Sequence, residues 1–214
     1  MATEWYRKTT WTPANAEDFE TRLMRSRGVY NKSQYLRIQA THLQRASPPN
    51  YDAAIRLLDR VLNEWRDDSQ VASALLQKAE CLDATATFSA ALPYYREGFA
   101  FERTHPGWRT SVWIILPWRI VKEKRIDLYD EALDAISFGS GSGVAFAVDQ
   151  YRLNVVEAII RKQKGDDVLA RSFAKDAYEA AGYTHSGFRY HKDVGLVREI
   201  EPWAKIELDR ILAA

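Results

Sequence analysis

The stretch YDAAIRLLDRVLNEWRDD, residues 51–68, puts Ala54, Leu57, Leu58, Val61, Leu62 and Trp65 on one face of a helix, with Arg56, Asp59, Arg60, Asn63 and Glu64 largely elsewhere. Asn50, just before it, has the side chain to cap its start. The pattern returns as FSAALPYYREGFA around Ala91, YDEALDAISFG around Ala132 and DDVLARSFAKDAYEAAG around Ala170, with alanine separations of 37, 41 and 38 residues. Each copy follows another apolar-faced segment: SQYLRIQATHLQRA, QVASALLQKAECLDA, TSVWIILPWRIVKEK and AVDQYRLNVVEAIIRKQK. The chain therefore reads as helix, short turn, helix, four times. A hairpin that cannot bury its own apolar face must stack on the next, so this period predicts an all-α fold of antiparallel hairpins stacked as a short solenoid.

Within these units, KGDDVLARSFAKDAYEAA resembles the tetratricopeptide repeat, a pair of antiparallel helices with small residues where they cross. Lys164-Gly165-Asp166 matches the turn, Ala170 the crossing residue of the second helix, and Ala158 its partner on the first. Ala79 and Ala91 repeat that pairing, and residues 51–68 are similar to the family's second helix with Ala54 at the crossing. The pattern departs from the family at His42 and Ile120, where glycine or alanine is preferred. It departs again at the closing proline, replaced by Arg66 in the first unit and delayed to Pro106 in the second. The resemblance spans residues 33–181. NAEDFETRLMRS, with Asn15 as its expected cap and Asp18 three residues on, and VREIEPWAKIELDRILAA offer terminal capping helices. The expected organisation is one domain over 1–214: a tail and capping helix over 1–32, about four hairpins over 33–181, and a capping segment over 182–214. Continuity across Ser137–Val144 is left open.

In the family the concave surface is built mainly by the first helix of each unit. Projected here, the resemblance implies a partner-binding groove of Gln39, Leu43, Leu76, Glu80, Asp83, Val121, Lys124, Arg152, Ile159 and Lys162. Such a groove would be acidic near the second unit and basic near the fourth.

The bulk composition narrows the class of partner. Thirty basic and 29 acidic residues leave a net charge of +1, so no whole-molecule field draws the chain to nucleic acid or an anionic membrane. The most apolar run, SVWIILPW at 111–118, falls well short of the roughly 20 residues of a spanning helix, and no membrane partner is expected. The single cysteine, Cys81, and a start without an apolar signal core suggest a cytoplasmic location.

The candidates for chemistry are few. SFGSGSGV at 137–144 is glycine-rich, but no Lys-Ser/Thr follows and a helix precedes it, which favours a linker over a phosphate loop. His42, His105, His185 and His191 lack the spacing that sets two metal ligands on one helix, with His42 expected to be packed. Asp127, Asp130, Glu131 and Asp134 form an acidic stripe beside Lys122, Lys124 and Arg125, without sign of a desolvated acid. Cys81 reads as a small core residue, and Trp5, Tyr6 and Trp11 as a tail packed on the array.

The expected function is non-enzymatic and cofactor-free: an adaptor that holds a peptide or protein partner, one form of which would neutralise a cognate toxin. The alternative is nucleic-acid binding through Arg22, Arg25, Arg27, Lys32 and Arg37, with Tyr30 and Tyr35 between them as stacking surfaces.

Overall fold

The computed structural model describes residues 4–141 and 146–214. Among these residues there are ten α-helices and no strand: α1 (Pro13–Arg25), α2 (Val29–Gln44), α3 (Tyr51–Asn63), α4 (Asp68–Thr85), α5 (Phe88–Thr104), α6 (Val112–Lys122), α7 (Tyr129–Ser140), α8 (Ala147–Gln163), α9 (Asp167–Ala181) and α10 (Pro202–Ala213). A short 3₁₀ turn, Ile126–Leu128, leads into α7. The fold is all-α, its helices packing in neighbouring pairs. No described helix is long and apolar enough to cross a membrane.

Side-chain caps start the second helix of three hairpins. Asn50 accepts from the Ala53 amide, Thr87 from that of Ala90, and Asp166 from that of Leu169, each satisfying an amide without an intrahelical partner. At α1 the cap is Thr12, where the sequence suggested Asn15. Thr12 Oγ1 accepts from the Asn15 amide at 3.2 Å and Asn15 Oδ1 accepts from the Thr12 amide at 3.1 Å. Pro13, whose missing N–H costs nothing in the first turn, moves the helix start ahead of Asn15.

The chain divides into two compact units, 1–112 and 113–214. The division falls just inside the start of α6, after Val112, and away from the glycine-rich stretch.

In the first unit, α2 pairs closely with α3 and α4 with α5, and α3 packs on α4, so successive hairpins stack. The crossing alanines Ala54, Ala79 and Ala91 are fully buried, which lets the helix backbones approach. Around them Phe19, Leu23, Leu36, Leu43, Leu57 and Leu58 form the core, each contributing about 1.5–3 kcal/mol by burial. His42, expected at a crossing, is only half-buried; Ala40 and Leu43 take the interior positions. The aromatic tail folds back as expected: Trp5 lies 4.9 Å from Tyr35 and 5.2 Å from Phe19, and Trp11 lies 5.4 Å from Phe19.

In the second unit α8 and α9 form the tightest pair, with Ala158 and Ala170 fully buried, and α10 lies against both. α6 and α7 behave differently and do not approach each other as closely as the other hairpin partners do. Ile120 fills the position of a small residue, and the Trp113 ring lies directly on Gly139 of α7, so bulk holds the axes apart. Residues 137–140 continue α7 rather than forming a linker, Gly141 ends that helix, and the last three residues of the stretch, 142–144, lie outside the described residues. Trp118 of α6 packs instead at a tilt against Trp203 of α10 at 4.8 Å and Tyr151 of α8 at 5.9 Å between ring centres.

Candidate functional site

Each unit carries a recess that gathers residues distant in sequence. In the first unit α2 and α4 run side by side in the same direction. Arg37 Nε donates to Gln70 Oε1 at 2.6 Å, Thr41 Oγ1 to Gln77 Oε1 at 3.4 Å, and Gln44 Nε2 to Glu80 Oε2 at 3.4 Å, so the rungs advance together. Between these helices and residues 109–111 lies an open polar cleft of about 380 Å³. Arg37, Arg45 and Arg109 line it, with Glu80 the single carboxylate. Burial pushes the Arg37 guanidinium below its ordinary value.

In the second unit a recess of about 280 Å³ lies among α6, the 3₁₀ turn, α7, α8 and α10. Its floor is Val121, Tyr129 and Ile159, all buried. Its rim holds two exposed apolar side chains, Ile126 at 54% and Ile206 at 66%, which water would be expected to disfavour unless something covers them. Lys122, Lys124, Arg210 and Glu207 surround them. Glu207 serves two cations, Arg210 at 2.7 Å and Lys124 at 3.8 Å, while Lys122 bonds Glu201 at 2.6 Å. Burial works to raise the Glu201 pKa, but hydrogen bonds from Lys122 and Trp203 and the charges of Lys122 and Arg152 outweigh it and hold it below the ordinary value. Lys124, with 78% of its side chain exposed and the longest of these ion pairs, is the cation most open to a new partner.

The projected groove residues sort by these recesses. Leu76 and Glu80 line the first-unit cleft; Val121, Lys124 and Ile159 line the second-unit recess. Gln39 and Leu43 do not face a surface. Leu43 is fully buried in the core, and Gln39, also fully buried, accepts from the Lys8 amide at 3.0 Å and donates to the Lys8 carbonyl at 2.6 Å, tying down the N-terminal segment. Asp83 is half-buried outside the cleft lining. Arg152 sits 5.8 Å over the Trp118 ring in a separate shallow recess, and Lys162 bonds Asp167 at 2.8 Å. The acidic character projected near the second unit is absent from the cleft lining, where arginines outnumber the glutamate.

The basic set does not assemble as one surface. Arg22 is held by Asp18 at 2.8 Å, and the Lys32 ammonium lies 3.9 Å from the centre of the Trp65 ring, with Lys32 only 8% exposed. Arg37 turns into the cleft, while Arg25 and Arg27 stand exposed elsewhere. Tyr35 is packed on Trp5 and Tyr6, which leaves Tyr30 alone as an exposed stacking surface in that stretch among the described residues.

Burial, followed by the charge of Glu80, pushes the Cys81 thiol to about 12, and the side chain is fully enclosed. Asp127 bonds Arg125 at 2.6 Å and Asp130 bonds Lys164 at 2.6 Å, so these carboxylates of the acidic stripe face cations in solvent. His105 stacks on Phe101 at 4.0 Å, and His185 Nδ1 accepts from the Gly187 amide at 2.9 Å. Among the described residues no three histidine, cysteine or carboxylate side chains stand together as a metal site would require. Comparison with protein-family models, curated proteins and solved structures finds no match to the chain.

Proposed function

We propose that the chain is a non-enzymatic interaction module of the tetratricopeptide-like kind, and that its second-unit recess takes one apolar side chain of a partner segment with carboxylates beside it. The observation that supports this is the pairing of a buried apolar floor, Val121, Tyr129 and Ile159, with exposed Ile126 and Ile206 at the mouth. An apolar anchor entering a desolvated pocket is the usual centre of a binding hot spot. Charge sets the flanks: three cations and one carboxylate line the recess, so acidic neighbours are attracted and basic ones repelled.

The test is fluorescence anisotropy with the full chain and labelled peptides carrying Leu or Phe between Asp and Glu residues, against matched peptides with Lys flanks. The acidic-flanked peptides should bind. Ile206→Asp should weaken them by about tenfold or more, without loss of helical signal, because Ile206 is mostly exposed. Lys124→Glu should weaken them less and make the loss depend on salt. Equal binding of both peptide classes, or an unaffected Ile206→Asp, would refute the reading.

A further inference from the structure

Two of the guanidiniums that line the first-unit cleft, Arg37 and Arg45, lack a carboxylate partner. Arg37 of α2 and Arg45, the residue that ends that helix, both line the cleft, and neither has a carboxylate partner among the described residues. Arg37 is half-buried and bonded to the neutral Gln70, although a cation taken out of water ordinarily acquires a counterion. Across from it, Gln77 of α4 is 7% exposed and lines the cleft. Its Oε1 accepts from Thr41, while its Nε2 donor is buried without a partner. Buried donors are nearly always satisfied, so this one points to an acceptor that the cleft is built to receive. The hydroxyl-bearing Ser73, Thr110 and Ser111 complete a lining rich in donors.

We propose that this cleft binds the phosphoryl group of a small phosphorylated molecule, with Arg37, Arg45 and Gln77 Nε2 as its donors. A phosphate monoester carries about −1.5 to −2 charge at neutral pH and three acceptor oxygens, which matches two uncompensated guanidiniums and a lone amide donor arriving from two helices. A carboxylate brings one charge and two coplanar oxygens and would leave one arginine unanswered. The cleft, at about 380 Å³, also has room for the group that bears the phosphate. Glu80 lies in the lining where Gln44 reaches α4, and there it favours a hydroxyl and opposes a second phosphoryl group. That acid, and the placement of Arg22, Arg25 and Arg27 outside the lining, argue against a nucleic-acid strand, which needs a continuous basic track.

The experiment is calorimetric titration of the full chain with inorganic phosphate and with ribose 5-phosphate at fixed ionic strength, with chloride as the control and single-stranded RNA as a competitor class. Both phosphates should bind and chloride should not. Arg45→Gln, at an exposed position, should weaken phosphate by about tenfold with unchanged helical signal, and Gln77→Leu should do the same. Ile206→Asp, in the other unit, should leave phosphate binding intact, so the two proposals fail separately. Tighter binding of ribose 5-phosphate than of phosphate would support Glu80 as the acceptor of a sugar hydroxyl; equal binding would support recognition through the phosphoryl group alone. The proposal is overturned if phosphate acts no more strongly than chloride, or if Arg45→Gln binds as the parent does. It is also overturned if RNA alone binds with a steep salt slope.

Discussion

Two glycines in helix interiors should respond in opposite directions to the same substitution. Gly98 lies in α5, and a methyl group added there would stand 3.5 Å from Leu75 Cβ, an ordinary van der Waals contact. Alanine removes the backbone-entropy cost of glycine in a helix, about 0.5–1 kcal/mol, so Gly98→Ala should stabilise the first unit by about that amount. Gly139 in α7 would gain the same backbone term. Its new Cβ, however, would meet Trp113 Cδ2 at 1.9 Å, Cε3 at 2.0 Å and Cγ at 2.5 Å.

These atoms belong to the root and fused centre of the indole, so no small swing of a flexible tip relieves the clash. Trp113 is 6% exposed and has nowhere to turn. Either α6 and α7 separate further or the ring leaves its site. Overpacking of this kind costs about 1–3 kcal/mol, and full loss of the tryptophan packing would approach the 3–5 kcal/mol typical of deleting such a side chain. After the helix gain, Gly139→Ala should destabilise by about 1–3 kcal/mol. Urea unfolding followed by far-UV circular dichroism measures both variants. Adding Trp113→Leu to Gly139→Ala should recover part of the loss, giving a coupling that non-contacting residues would not show. A midpoint for Gly139→Ala at or above that of the parent would refute the reasoning.

Glu102 should make the first unit less stable as pH rises. Fully buried, it accepts from the Thr110 amide at 2.9 Å and from the Thr110 hydroxyl through Oε1, while Oε2 has no partner. Burial raises its pKa, against the lowering effect of those bonds and of Arg109, so the folded chain holds the proton more tightly than the unfolded one. The resulting stability is complete below the ordinary carboxylate value near 4.3 and is lost as pH rises through the raised folded value. Glu102→Gln removes the titration, so its urea midpoint should fall less than the parent's from about pH 4 upward; parallel pH curves would exclude the effect. At the α8–α9 crossing, Ala170→Leu should cost about 1–3 kcal/mol by forcing the closest helix pair apart, and an unchanged thermal midpoint would show that the crossing is looser than its burial implies.

The helices were legible because each apolar face and each cap is a local property. Asn50 with Ala54, Leu57, Leu58 and Val61 states both the start and the buried side of α3 within a dozen residues. Ala158 and Ala170 were likewise readable as a close crossing, since small residues in register allow two backbones to meet. The third hairpin was not. Nothing local to Ile120 says that α6 turns to α8 and α10, because that depends on Trp118 finding Trp203, 85 positions away. Gln39 was misplaced for a similar reason: its helical register alone cannot reveal that Lys8 satisfies its amide and buries it.

The first-unit cleft was hidden for a different reason, and a signal for it was present. Of its arginines only Arg37 enters the basic run with Arg22, Arg25 and Arg27, and that run treats neighbours in sequence as neighbours in space. In stacked hairpins the neighbours of a first-helix residue are one period away: Arg37 meets Gln70 at a separation of 33, and Thr41 meets Gln77 and Gln44 meets Glu80 at 36. A shift of the sequence by one such period would have set Arg37, Thr41 and Gln44 against Ser73, Gln77 and Glu80, with Arg45 next in line. The period that gives away the fold is thus also the ruler for its surfaces. Where bulk breaks the period, as at Ile120 and Trp113, that ruler stops working, and the second-unit recess is built from the residues beyond the break.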